Sequence, residues 1–228
     1  MTTESVRRWT GMAGIAATAA SFVGVGLFFT AGLPPSFADA GRVASYLKGG
    51  SVAFQTAALL LLLGFASAMV FVAGLRTLVV RAEAGNDFLG SAVFALGLTS
   101  FLLGFASVAL LITAVAESMS QAQPASVRTL FEASGILAGA PSLLPLAFFV
   151  GAAGSAVRVA RLLPAWNVWL AWAASILVLL AVPSAYGGND PNAFYSADGL
   201  VTIAAGVPPY LWLVATSIAI LRAANLQS

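Results

Sequence analysis

A six-span helical membrane bundle is the fold class this sequence predicts, and three observations predict it. The 228 residues are 60% hydrophobic and only 8% charged, against about 25% charged in an average globular chain. Mean hydropathy is +0.97. The few charges fall between apolar runs, and six of those runs approach the roughly 20 residues that a helix needs to cross a bilayer. They cover residues 11–33, 52–75, 88–116, 130–157, 168–183 and 200–221. The intervening stretches are short, so residues 1–228 are expected to form one transmembrane domain without a soluble domain.

The first run follows Arg7-Arg8 and is closed by Pro34-Pro35. A cleaved signal peptide is the rival reading, with Ala38-Asp39-Ala40 as its cleavage site. The apolar run is longer than the 7–15 residues typical of a signal core, so an uncleaved anchor is expected. In the loop that follows, Phe37, Ala40, Ala44 and Leu47 fall at helical spacing, which predicts a short helix lying on the membrane surface. Ser51, Asp87 and Asp198 stand where they can cap the second, third and sixth spans.

The third span repeats small residues at Gly97, Ser100, Gly104 and Ser107, and the second at Gly64, Ser67 and Gly74. Gly135 and Gly139 make a similar pair in the fourth. Such stripes permit close helix contact, either within the bundle or in a dimer. Residues 62–67 and 102–107 both read LLGFAS, but the flanking residues do not extend the match into a repeat. The fourth span is expected to open on a capping box, Thr129 to Glu132, and to bend at Pro141 and Pro145. The fifth is short and should borrow a turn from residues 164–167. The loop after it is polar and turn-forming, with Phe194 and Tyr195 as interface anchors. Its Asp190 and Asp198 match no EF-hand spacing, and no metal site is expected. Pro208-Pro209 should bend the sixth span.

Orientation follows from the basic residues. Arg7, Arg8, Arg76, Arg81, Arg158, Arg161 and Arg222 fall on one side, and Arg42, Lys48 and Arg128 on the other. The richer side is expected to face the cytoplasm, with both termini there and the chain in the plasma membrane.

Composition excludes several chemistries. With no histidine and no cysteine, there is no His-assisted nucleophile, thiolate, disulfide or Fe–S ligation. The single lysine, Lys48, lies outside the apolar runs. Every aspartate lies in a loop, no P-loop or zinc motif is present, and the basic residues are too dispersed for nucleic acid. The chain is expected not to be an enzyme and to need no cofactor. Ionisable and amide groups at membrane depth are the default functional candidates, and Gln55, Glu117, Arg128 and Glu132 are expected to line one outward-facing polar pocket. Arg128 is the natural partner of Glu117, an acid placed where the helix dipole disfavours it. The alternative for all four is an ordinary solvated rim of helix ends.

At Arg7-Arg8-Trp9-Thr10-Gly11, Pro34-Pro35, residues 42–47 and Leu163-Pro164-Ala165-Trp166, the chain resembles a broad group of uncharacterised multi-spanning bacterial membrane proteins common in actinobacteria. The resemblance implies the six-span topology, and it carries no activity and no site residues. Two functions follow as expectations. The first is a non-catalytic accessory subunit that docks a larger membrane complex, or a second copy, through its small-residue stripes and short outer loops. The second is a module that binds or transports a lipid or small hydrophobic molecule, with a site between the bent fourth and sixth spans that opens to the outer leaflet near Gln55 and Glu117. Membrane lipids are partners in either case.

Overall fold

The computed structural model describes residues 2–35, 37–82, 87–120, 122–188, 194, 196 and 200–225. Six membrane-length helical spans are present, and no strand occurs among the described residues. In chain order the helices are α1 (Thr3–Thr30), α2 (Ala40–Gly49), α3 (Ser51–Ala82), α4 (Asp87–Met119), α5 (Pro124–Ala138), α6 (Ala140–Val159), α7 (Ala165–Ala181), α8 (Leu200–Ala205) and α9 (Val207–Asn225). A 3-10 segment, Val182–Gly187, extends α7. The fourth span is α5 followed by α6, and the sixth is α8 followed by α9. Asp190, Tyr195 and Asp198 lie outside the described residues.

Local chemistry sets most boundaries. Thr2 caps α1 by accepting the Ser5 N–H at 3.2 Å, so the helix begins well before its apolar stretch. It ends at Thr30, and just beyond it Gly32 takes a φ of +93°, a conformation that favours a residue without a Cβ. Asp39 caps α2 through the Arg42 N–H at 3.0 Å. The fourth span corrects the expected capping box: its helix starts at Pro124, and Thr129 sits inside it, donating to the Ala125 carbonyl at 3.0 Å. Proline at a first helical position loses no hydrogen bond, and that earlier start places the Thr129 motif in a helix interior.

The fourth span breaks at Gly139, whose ψ of −131° leaves the helical region. Pro141 lies in the first turn of α6 and Pro145 within it. Serines rejoin the broken segment to its neighbours. Ser107 Oγ donates to Ser134 O and Ser134 Oγ to Ser107 O, each at 2.9 Å. Ser100 Oγ reaches Ser142 O at 2.9 Å, and Ser175 of α7 reaches Ala147 O at 2.8 Å. At the break itself the Ser142 N–H turns to the Gly139 carbonyl at 3.1 Å, and the Ala138 carbonyl it leaves accepts from Ser142 Oγ, as backbone groups freed in lipid require. The sixth span breaks at Gly206, with Pro208 and Pro209 in the opening of α9.

Each span packs on the next along the chain, and α9 returns to α1, closing a ring. Small residues allow the close approaches. A Cβ on Gly64 would meet Ser21 and the Ala17 carbonyl, and one on Gly74 would meet Thr10, both on α1. A Cβ on Gly97 would meet Val72 of α3 and Phe149 of α6. The small-residue faces of α3 and α4 are therefore used within the bundle. Where α7 meets α9, buried Asn167 and Thr216 bond side chain to side chain at 2.9 Å.

The ring axis is filled. Phe71, Phe149 and Trp212 are buried, and Trp212 meets Phe71 and Phe149 edge-on at 6.2 and 5.9 Å. Phe101 extends the stack to Phe149 at 6.1 Å. The Trp212 indole N–H finds no acceptor among the described residues. The start of α1 and the end of α9 lie together, since Arg7, Ile220 and Ala223 line one small cavity of about 10 Å³ there, room for about one water molecule.

Candidate functional site

The four polar candidates lie at the end of the bundle capped by α2, opposite the two chain ends. α2 rests there on a buried apolar cluster formed by Val43, Leu47, Phe54, Leu111, Ala114, Val115, Val127 and Phe131. Its buried residues are Val43 and Leu47, one turn apart. Of the expected face, Leu47 is buried, Phe37 and Ala44 pack against the cluster, Ala40 is half-buried, and Val43 lies outside it. The reason is the direction from which the bundle meets α2, which the composition of a ten-residue helix does not encode.

Five aromatic rings close over this cluster. Phe28 and Tyr46 meet Phe54 edge-on at 5.0 and 5.1 Å, and Phe37 meets Phe131 at 5.7 Å. The Tyr46 hydroxyl donates to the Gly32 carbonyl at 2.9 Å, tying α2 to the end of α1. Burial pushes the Tyr46 hydroxyl up to about 12 from its ordinary 10.0, because the phenolate would lose hydration there.

The polar residues sit at the margin of this cap. Gln55 is exposed beside buried Phe54. Glu117 is half-buried near the end of α4, and its backbone carbonyl accepts from the Ser120 N–H at 3.2 Å and from Ser120 Oγ at 3.1 Å. Arg128 is half-buried on α5, its Nη1 donating to the Phe37 carbonyl at 3.5 Å and its buried Nε without an acceptor among the described residues. Glu132 follows one turn later on the same helix, half-buried beside Phe131. The fold brings all four to one end. It does not pair Glu117 with Arg128, and among the described residues no ion pair joins them. The arginine instead secures the strap between α1 and α2 through Phe37.

Chemically this end is an aromatic lid with a half-buried guanidinium at its edge, suited to holding a surface in place. The aromatic lid had no signature in the sequence. Its members come from α1, the following strap, α2, α3 and α5, and only folding makes them neighbours. Against protein-family models, curated proteins and solved structures, the chain shows no match.

Proposed function

We propose that this chain is a non-catalytic accessory subunit of a larger complex in the plasma membrane, with both termini in the cytoplasm. The filled axis is the observation that carries the reading. Phe71, Phe101, Phe149 and Trp212 occupy the centre of the ring, and the small-residue faces of α3 and α4 are used up inside it. What is left to act is the periphery: the lipid-facing surface and the α2 end with Gln55, Glu117, Arg128 and Glu132. The excess of arginine at the other end supports the cytoplasmic placement of the termini.

The alternative, a lipid or small-molecule module with a site between the fourth and sixth spans, needs room where Phe149 and Trp212 stand in contact. No observation favours it over the subunit reading.

The test is site-specific photocrosslinking in the native membrane. Crosslinkers are placed at Lys48, Gln55 and Glu117, with lipid-facing Ile176 as control, and gentle extraction with native mass spectrometry follows. One stoichiometric polypeptide joined at the α2-end positions and absent from the control is the expected result. A chain that emerges alone overturns the proposal, and a crosslink to a second copy replaces the accessory role with a homo-oligomer.

A further inference from the structure

The opposite, arginine-rich end carries an arrangement that the subunit reading does not use. Helix α6 closes in a Schellman turn: the Arg161 N–H donates to Arg158 O at 3.2 Å, and the Leu162 N–H to Val157 O at 3.1 Å. The residue in the left-handed position of that turn is Arg161, with φ of 50°. Glycine is the residue suited to this position, because a Cβ there crowds the following carbonyl. The chain has 22 glycines, yet arginine stands here. No other non-glycine residue among those described has a positive φ.

One turn earlier, the Arg158 guanidinium lies over the Trp172 ring, 5.5 Å from its centre. The indole is held beneath it from two sides. Its N–H donates to Ser155 Oγ at 3.3 Å, and Trp169 meets it edge-on at 5.1 Å. Trp166 and Trp169 are 52% and 65% exposed at the start of a membrane-length helix, the level where tryptophans settle at a bilayer interface. The described carboxylates of this end are engaged elsewhere, Glu4 with Arg8 and Asp87 with Arg76. Among the described residues none lies within ion-pair distance of Arg158 or Arg161.

We propose that Arg158 and Arg161 form a binding site for the phosphate of an anionic phospholipid, with Trp166, Trp169 and Trp172 as the shelf for its glycerol and upper acyl chains. The cation–π contact anchors the Arg158 guanidinium on Trp172, and its planar fork of N–H groups, with no described carboxylate in ion-pair reach, suits the two oxygens of a phosphodiester. Arg161 supplies a second positive charge. That charge favours a lipid with net negative charge over one whose headgroup ends in an ammonium. A strained backbone position persists where a functional group requires it, and here the group is the Arg161 guanidinium. The proposal stands independently of any protein partner.

Native mass spectrometry of the full chain in a non-ionic detergent tests it, by titration with phosphatidylglycerol or with phosphatidylcholine of the same acyl chains. Wild type should bind phosphatidylglycerol more tightly. Arg158→Gln and Arg161→Gly should each weaken that binding about fivefold, the worth of one basic residue at an anionic interface, and leave phosphatidylcholine unchanged. Arg161→Gly should also keep or raise the melting temperature in lipid-free detergent, since glycine suits the turn. That pairing separates a binding role from a structural one. Equal affinity of wild type for the two lipids overturns the proposal, as do variants that bind phosphatidylglycerol like wild type. Displacement by millimolar inorganic phosphate would assign the site to a soluble anion and overturn the lipid.

Discussion

Gly14 and Gly26 occupy the same helix and impose opposite demands on a side chain. A Cβ on Gly14 would run into Ser217 Oγ and lie 2.8 Å from Phe71 Cδ2, so α1 reaches α3 and α9 there only because the side chain is missing. Around Gly26 nothing lies within 4 Å of the same position. Gly14→Ala is therefore expected to cost about 1–3 kcal/mol through overpacking. Gly26→Ala is expected to gain up to about 1 kcal/mol from helix propensity. Unfolding both variants in mild detergent checks the contrast, and effects of the same sign and size would refute the packing of α1 described above. The two glycines look alike in an apolar run. Gly14 was legible as a contact only once α9 and α3 were in place.

At the scale of the element, α2 is held by an apolar face and one hydrogen bond, and the bond carries a pH dependence. The Tyr46 hydroxyl is raised from 10.0 to about 12 by burial. A raised folded value means that the neutral form is favoured in the docked state. Its contribution is thus complete below pH about 10 and is lost as pH climbs toward 12. Tyrosinate absorbance in wild type and Tyr46→Phe isolates the group. The difference titration should centre near 12, and a midpoint near 10 would mean that the ring is solvated and α2 undocked. The helix itself was legible from its spacing, and its docking face in part: Leu47 is buried and Phe37 and Ala44 pack beside it as that spacing suggests, while Val43, outside the expected set, is buried as well. The fourth span shows the same division. Pro141 and Pro145 announced an interruption, while the structure places the break at Gly139, where the backbone leaves the helical region.

For the whole molecule the testable quantity is sidedness. The chain has no cysteine, so single substitutions report without background. Ser45→Cys on α2 and Ala165→Cys at the start of α7 are both exposed and lie at opposite ends of the bundle. A membrane-impermeant maleimide should label Ser45→Cys in intact cells and Ala165→Cys only after permeabilisation. The reverse pattern would place the seven-arginine end outside and remove the cytoplasmic assignment of the termini. The same end carries the arginine–tryptophan shelf, so this experiment also decides which leaflet supplies its lipid.

By itself the sequence determined that the chain is helical, with six runs long and apolar enough to cross a membrane. That depends on a local property, the length of an apolar run against the thickness of a bilayer. Only the tertiary structure decided which face of each helix turns inward. It made neighbours of Phe71, Phe149 and Trp212, formed no ion pair between Glu117 and Arg128 among the described residues, and put Thr129 inside a helix that begins at Pro124. The physical reason is that lipid is as apolar as leucine. Hydropathy no longer separates buried from exposed faces, and the choice falls to shape, to close approach at glycine and serine, and to hydrogen bonds between residues far apart in the chain.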